Sequence, residues 1–136
     1  MPNTARTTTE LYITTRNETG ALARCTLALR ESGINVDALC AYEKDPGTAA
    51  FHFVTSDNPK AKTLLTKSGY TVSEAPVVCW NADNTPGTMN RGTSALAEHR
   101  VNITYTYSTT PPGTKTSWVI FNTNNNDETV KTLNSL

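Results

Sequence analysis

Two asparagines and a glycine recur with similar spacing in the two halves of this 136-residue sequence. In the first half they are Asn17, Gly20 and Asn35, and in the second half they are Asn84, Gly87 and Asn102. An asparagine side chain carries an amide donor and a carbonyl acceptor on one plane. Glycine lets the backbone come close to a ligand, and the unpaired N–H groups of a following helix attract a carboxylate. Together these groups suit a zwitterion, so the pattern predicts a free amino acid site without a buried protein charge.

The same asparagines also have a purely structural interpretation. Asparagine is common in turns and at helix starts, where its side chain caps the first free N–H groups. It is also tolerated after helix ends, where the backbone takes unusual angles. A structural role suits any one of the four asparagines. Their recurrence in two otherwise divergent copies favours binding.

The elements that must position these residues form an internal repeat. A shift of 67 residues places Asn17 on Asn84 and Asn35 on Asn102. Alternating apolar residues predict strands, and an apolar stripe at helical spacing predicts a helix that Gly33 ends. Each copy is predicted to run β-α-β-β-α, with a fourth strand only in the first copy. Pro76 is predicted to separate that fourth strand from the first strand of the second copy.

The predicted fold class is α+β, with two ferredoxin-like βαββαβ units that have antiparallel sheets. Their predicted limits are residues 1–75 and 76–136. The second unit lacks its last strand, and natural proteins rarely leave such a sheet edge bare. We expect a neighbouring unit, a second chain or the N-terminal segment to cover it. Gly92 lies inside a helix of the second unit, where it costs about 1 kcal/mol relative to Ala, so either a backbone packs closely there or the helix is weak.

Composition argues against several functional classes. The net charge is +0 and the 12 basic residues are scattered, which disfavours a nucleic-acid or anionic-membrane surface. There is no apolar run of membrane length and no secretory apolar segment at the N-terminus, so a cytoplasmic protein is expected. The three cysteines have no CxxC spacing, and no metal site is expected. No nucleophile and base stand in a recognisable catalytic arrangement, so no catalysis is expected.

The repeated motif resembles the ACT domain. The matching text is NETGAL and GINV in the first unit and NTPGTM and RVNI in the second. The resemblance covers almost the whole chain, as two ACT domains in tandem. It implies a regulatory protein without catalysis of its own and without a cofactor, which binds a small molecule, typically a free amino acid, between two ACT units. The implied partners are that amino acid and either a second copy of the chain or a regulated protein.

The resemblance also implies which residues hold the ligand. Asn17 would act with Asn102, and Asn84 with Asn35. The backbone amides would come from Gly20, Ala21 and Leu22 at one site and from Gly87, Thr88 and Met89 at the other. Selectivity would depend on side chains such as Leu22, Met89, Tyr42 and Tyr105. The sequence departs from the family pattern at Thr19, where the family prefers Pro, and at Arg100, where it has Gly.

Two other functions compete with an amino acid sensor. A structural or dimerisation module would use the same sheets and helices and leave the asparagine turns empty. An RNA-binding domain shares the βαββαβ plan, and Phe51 and Phe53 faintly resemble its aromatic strand, although the basic residue and the Gly-Phe pair are missing. The sequence favours the sensor over both.

Overall fold

The computed structural model describes residues 3–136 and contains six strands and four helices. The strands are β1 (Thr4–Arg16), β2 (Val36–Asp45), β3 (Thr48–Thr55), β4 (Thr71–Asp83), β5 (Ile103–Thr109) and β6 (Thr116–Thr123). The helices are α1 (Ala21–Glu31), α2 (Asn58–Lys67), α3 (Thr88–Glu98) and α4 (Asn126–Asn134).

The chain divides into two compact units, and each takes part of β1 and part of β4. The first unit contains residues 9–75 and has the strand order β2-β3-β1-β4. The second unit contains residues 3–8 and 76–136 and has the strand order β1-β4-β6-β5. Strand β3 pairs antiparallel with β1 and β2, and β6 pairs antiparallel with β4 and β5. The predicted fold of two ferredoxin-like units is therefore confirmed.

The N-terminal segment supplies the strand that the second unit lacks in its own stretch of sequence. Residues 4–8 of β1 lie beside β4, in the place of a fourth strand. Ala5 is buried there. The Ala5 N–H donates to the Asn134 side chain at 2.7 Å, and the Asn134 side chain donates to the Ala5 carbonyl at 3.0 Å. Asn3 also donates to the Asp83 carboxylate at 2.6 Å. Of the three occupants expected for this edge, the N-terminal segment is the one found.

Pro76 does not separate two strands, contrary to the prediction. Strand β4 runs without interruption from Thr71 to Asp83, so one strand serves both units. Proline has no N–H to donate to a sheet, but its carbonyl can still accept. The Pro76 carbonyl accepts a hydrogen bond from the Asn126 side chain at 3.0 Å. This hydrogen bond is not part of the sheet, and it connects the start of α4 to β4.

Each unit buries its own apolar core between helices and sheet. The first core contains Leu11, Ile13, Cys25, Leu29, Phe51, Phe53 and Leu65, among others. Because Phe51 and Phe53 are buried in it, they do not form an exposed platform for stacking nucleic-acid bases. The second core contains Val78, Trp80, Leu96, Val119, Phe121 and Leu133, among others.

Gly92 is explained by close packing in this second core. A Cβ atom at Gly92 would lie 2.6 Å from Cη2 of Trp80 and 2.8 Å from its Cζ3. Those distances are shorter than any ordinary contact, so only glycine fits against the indole ring. The sequence analysis expected either a closely packed backbone or a weak helix, and the structure instead places an indole side chain against Gly92.

The first helix of each unit is followed by a residue with left-handed backbone angles. Gly33 has φ of 69° after α1, and Arg100 has φ of 59° after α3. Glycine adopts this conformation freely, whereas a residue with a Cβ atom pays a steric cost. The departure at Arg100 therefore changes the residue type and leaves the backbone conformation intact.

Candidate functional site

The turns before α1 and α3 have the same unusual geometry. We call residues 17–22 the first corner and residues 84–89 the second corner. The residues at the N-caps are Gly20, with φ of 85°, and Gly87, with φ of 91°, so both need the left-handed region that glycine favours. Neither helix start has a side-chain cap or an acidic residue in its first turn.

The other two helices begin in the ordinary way. The Asp57 side chain accepts from the N–H of Lys60 at the start of α2, and the Asn125 side chain accepts from the N–H of Glu128 at the start of α4. Helices α1 and α3 thus differ from α2 and α4 in having no side-chain cap in the described chain. The Ala21 N–H donates to the Glu18 carbonyl at 3.1 Å and the Thr88 N–H donates to the Thr85 carbonyl at 3.2 Å, so the remaining N–H groups of each first turn are the ones that face a ligand. Those groups and the helix dipole favour a negative charge at each corner.

Asn17 and Asn84 end their strands and do not cap the helices that follow. The Asn17 N–H donates to the Gly47 carbonyl at 3.1 Å, and the Asn84 N–H donates to the Lys115 carbonyl at 2.9 Å. The Asn84 side chain also donates to the Thr114 carbonyl at 2.8 Å. The capping role considered from the sequence is therefore wrong for both turn asparagines.

Asn35 and Asn102 lie at the other ends of the same helices. The Asn35 N–H donates to Oγ of Ser56, and the Asn102 N–H donates to Oδ1 of Asn124, both at 2.9 Å. Helix α1 has 11 residues and is roughly 16 Å long, so Asn17 and Asn35 of one unit do not reach the same small ligand. The Asn35 side chain donates to the Asp37 carboxylate at 2.7 Å. The predicted pairs, Asn17 with Asn102 and Asn84 with Asn35, remain predictions.

A cavity of about 420 Å³ opens at the first corner. Its lining residues are Asn17, Glu18, Gly20, Ala21, Leu22, Ala23, Ala41, Tyr42, Ala49 and Phe51. Four of the predicted ligand-binding residues thus share one cavity with Tyr42, which was expected to affect selectivity. The floor, from Ala21, Ala49 and Phe51, is buried and apolar.

A smaller cavity of about 110 Å³ lies at the second corner. It is lined by Trp80, Ala82, Asp83, Asn84, Thr85, Thr88, Met89, Thr110, Ser117 and Val119. Of the predicted residues, Asn84, Thr88 and Met89 line it, whereas Gly87 shapes the turn without lining the cavity. Tyr105 lines neither of the two corner cavities.

Sequence reasoning did not select the strand residues that complete these cavities. Ala41, Ala49, Trp80 and Ser117 have no motif of their own, and Phe51 was considered only as core or as a base-stacking residue. The strand alternation places them on the helix-facing side of the sheet. That signal gives the face but not the distance from a turn, so it could not separate cavity walls from ordinary core.

A series of hydrogen-bonded side chains positions Tyr42, whose ring lies on the face of the sheet opposite Ala41 and Phe51. The Tyr42 hydroxyl lies 2.9 Å from Nε2 of His52, and Nδ1 of His52 lies 2.6 Å from Oε2 of Glu10. Glu10 is 0% exposed and His52 is 5% exposed. Cys40 faces His52 in the register of β2 and β3, so the two side chains share one face of the sheet. These hydrogen bonds fix the position of the tyrosine ring.

Charged and thiol groups near the corners are already engaged or buried. The Glu18 carboxylate forms an exposed ion pair with Arg24 at 2.7 Å. Burial raises the pKa of the Cys25 thiol from 9.0 to about 12. Burial also raises the pKa of the Cys79 thiol. Within residues 3–136 no group of three His, Cys, Asp or Glu side chains is placed to hold a metal ion. In the same part of the chain no helix is long and apolar enough to cross a membrane.

Comparison with known proteins identifies the family of this arrangement. The family described as an ACT domain pair matches residues 6–135. No curated protein matches the chain. Protein BT0572 from Bacteroides thetaiotaomicron is 27% identical, with a TM-score of 0.88, and the match covers 96% of this chain and 89% of that one. The ligand-free regulatory subunit of aspartate kinase from Thermus thermophilus is 17% identical, with a TM-score of 0.66 and coverage of 96% and 95%; this likeness concerns the fold.

Proposed function

The chain belongs to the ACT domain pair family, and from this premise we propose that it is a non-catalytic regulatory protein that binds a free amino acid at its corners. The ligand carboxylate would face the uncapped N–H groups of α1 or α3, and the turn asparagine would offer its amide. Binding would act on a partner protein by favouring one conformation of the pair over another. The regulatory subunits of aspartate kinase, which share the fold, support this role.

The observation that carries the proposal is the difference between the two kinds of helix start. Side chains cap α2 and α4, whereas α1 and α3 follow left-handed glycines and begin next to cavities. The difference recurs in both units, although their sequences have diverged. A turn that served only to connect a strand to a helix would gain stability from a capping side chain, a few tenths of a kcal/mol relative to glycine. The absence of one at both corners of the described chain favours a ligand that occupies the place.

A thermal-shift panel against the twenty amino acids at millimolar concentration tests the proposal. Ligand at 100 times its dissociation constant should add about 2.7 kcal/mol of stability. We expect a rise for one or a few amino acids, reduced in Asn17→Ala and in Asn102→Ala. Asn125→Ala is the matched control, since it removes a helix cap and should lower the baseline without changing the response to ligand.

A structural or dimerisation module without ligand is the second candidate. Leu39, on the edge strand β2, is 46% exposed, and Leu27 on α1 is 47% exposed. Exposed apolar side chains mark a contact with another protein where they form one contiguous patch, which this candidate requires of Leu27 and Leu39. A flat thermal-shift panel with folded protein, together with dimerisation that Leu39→Lys abolishes, would replace the sensor with this module.

A further inference from the structure

Trp80 carries a buried hydrogen-bond donor that the described chain does not satisfy. Its side chain is 0% exposed, and its Nε1 has no hydrogen-bond partner among residues 3–136. An indole N–H can donate but cannot accept. Leaving such a donor unpaired costs about 1–3 kcal/mol. A group that accepts from Trp80 would recover that free energy.

Trp80 lines the cavity of the second corner together with two other buried polar side chains. Thr88 is 7% exposed and Ser117 is 9% exposed. The Thr88 hydroxyl lies 2.8 Å from the Thr85 hydroxyl. Hydroxyl groups can donate or accept, so this wall offers a ligand oxygen both kinds of partner beside Trp80.

The repeat shows that this polarity is particular to the second corner. The positions of Trp80 and Thr88 correspond to Ile13 and Ala21 at the 67-residue shift. The position of Ser117 corresponds to Ala49, one residue further along because the second copy has gained a residue. The first cavity, of about 420 Å³, therefore has apolar side chains at these three positions, whereas the second, of about 110 Å³, has side chains that can form hydrogen bonds.

The charged side chains around the second cavity disfavour an anionic side chain on the ligand, whose own carboxylate would face the N–H groups of α3. Its lining contains no Lys, Arg or His, and its single carboxylate belongs to Asp83. Asp83 accepts a hydrogen bond from the Asn3 side chain at 2.6 Å, which holds that carboxylate in place. A second negative charge without a cation would be costly in so small a space. A neutral oxygen avoids this cost.

We propose that the second corner binds a short neutral oxygen-bearing group, a hydroxyl or a carboxamide, that accepts a hydrogen bond from Trp80. The first corner accepts an apolar group instead, so the two corners of one chain differ in specificity. This inference rests on the proposed function in one respect, that the group is the side chain of a free amino acid. The cavity and its donor stand independently of that assignment.

The indole N–H of Trp80 can be observed directly by NMR. The chain has two tryptophans, and Trp118→Phe leaves Trp80 as the single indole in a ¹⁵N-labelled protein. We expect its N–H resonance to move downfield and to saturate with serine, threonine or asparagine, but not with the isosteric pairs alanine, valine and leucine. If Trp118→Phe does not fold, the wild-type indole resonance that exchanges slowly with solvent identifies the buried Trp80.

Variants that exchange the corners supply the controls. Thr88→Ala with Ser117→Ala gives the second corner the residues of the first and should weaken binding of the oxygen-bearing probe roughly tenfold or more. The reciprocal change, Ala21→Thr with Ala49→Ser, should leave the Trp80 resonance and its response unchanged. Loss of the response in both double variants would overturn the assignment to the second corner.

Acetamide and acetate separate failure of this inference from failure of the proposed function. If no amino acid binds but acetamide moves the Trp80 resonance and acetate does not, the amino acid function fails and the neutral-oxygen cavity stands. If amino acids stabilise the protein while the resonance stays still with every probe, the function stands and this inference is overturned. A resonance already downfield and unmoved by any probe would mean that the donor holds water only, which also overturns it.

Discussion

At the scale of single residues, the clearest fit is between Trp80 and Gly92. The first unit has Ile13 and Cys25 at the equivalent positions, so a large strand residue and an absent helix side chain replace two of intermediate size. Close packing conserves total volume, and a change on one side demands a change on the other. The pair therefore couples strand β4 to helix α3.

Gly92→Ala should destabilise the protein by about 1–3 kcal/mol, because the new methyl group would overlap the indole ring. Helix propensity alone predicts the reverse, a gain of about 1 kcal/mol. Urea unfolding followed by circular dichroism measures the difference. Adding Trp80→Ile to Gly92→Ala should recover part of the loss, and a stabilised single variant would contradict the packing argument.

Cys25 should make the stability of the protein depend on pH in the alkaline range. Its folded pKa is raised by burial, so its contribution is complete below about 9 and is lost as pH rises toward about 12. The free energy of unfolding should fall by up to about 1.4 kcal/mol per pH unit over that range from this group. Urea titrations at pH 8, 9 and 10 should show a steeper fall in wild type than in Cys25→Ala. Equal slopes would remove Cys25 as the cause.

At the scale of the elements, the helix ends separate structural from functional roles. Helices α2 and α4 gain their caps locally, whereas α1 and α3 begin at glycines and end at left-handed residues. The same chain thus contains two ordinary helix starts as internal references for the two corners.

Arg100→Gly should stabilise the second unit by about 0.5–1 kcal/mol, since glycine accepts the left-handed backbone without the steric cost. Gly33→Ala, at the equivalent position of the first unit, should destabilise by a similar amount. Thermal unfolding of both variants checks the pair. A destabilised Arg100→Gly would show that the arginine side chain makes contacts that outweigh the backbone cost.

Removing the caps should cost more than removing the Asn17 side chain. Asp57→Ala and Asn125→Ala should each lower the free energy of unfolding by about 1 kcal/mol. Asn17→Ala should change it by less than about 0.5 kcal/mol, because its side chain makes no hydrogen bond to another residue of the described chain. Denaturant unfolding without ligand measures all three. A large loss for Asn17→Ala would return this residue to a structural role.

At the scale of the whole molecule, the second unit takes its fourth strand from the N-terminal segment. The N-terminal residues complete the second unit, and the first half of β4 completes the first unit. The first unit is therefore the continuous stretch 9–75, whereas the second unit combines residues 3–8 with residues 76–136. The domain limits at 1–75 and 76–136 remain predictions.

Asn134→Ala should loosen the N-terminal strand, because it removes both hydrogen bonds to Ala5. We expect a loss of about 1–3 kcal/mol, with faster hydrogen exchange in residues 76–83 of β4. Ser135→Ala is the matched control, since its hydroxyl bonds within its own helix. Unchanged exchange in β4 after Asn134→Ala would show that the strand is held by its ladder alone.

The sequence by itself determined the repeat, the order of strands and helices, and the glycines of both corners. These features depend on local periodicity and on backbone conformations that few residues adopt, so they can be read over short windows. Only the tertiary structure decided which segment fills the open edge of the second unit, why Gly92 must be glycine, and which strand residues wall the two cavities. Each of these depends on contacts between segments far apart in the chain, such as Ala5 with Asn134, and no local pattern records which distant side chain will be the neighbour.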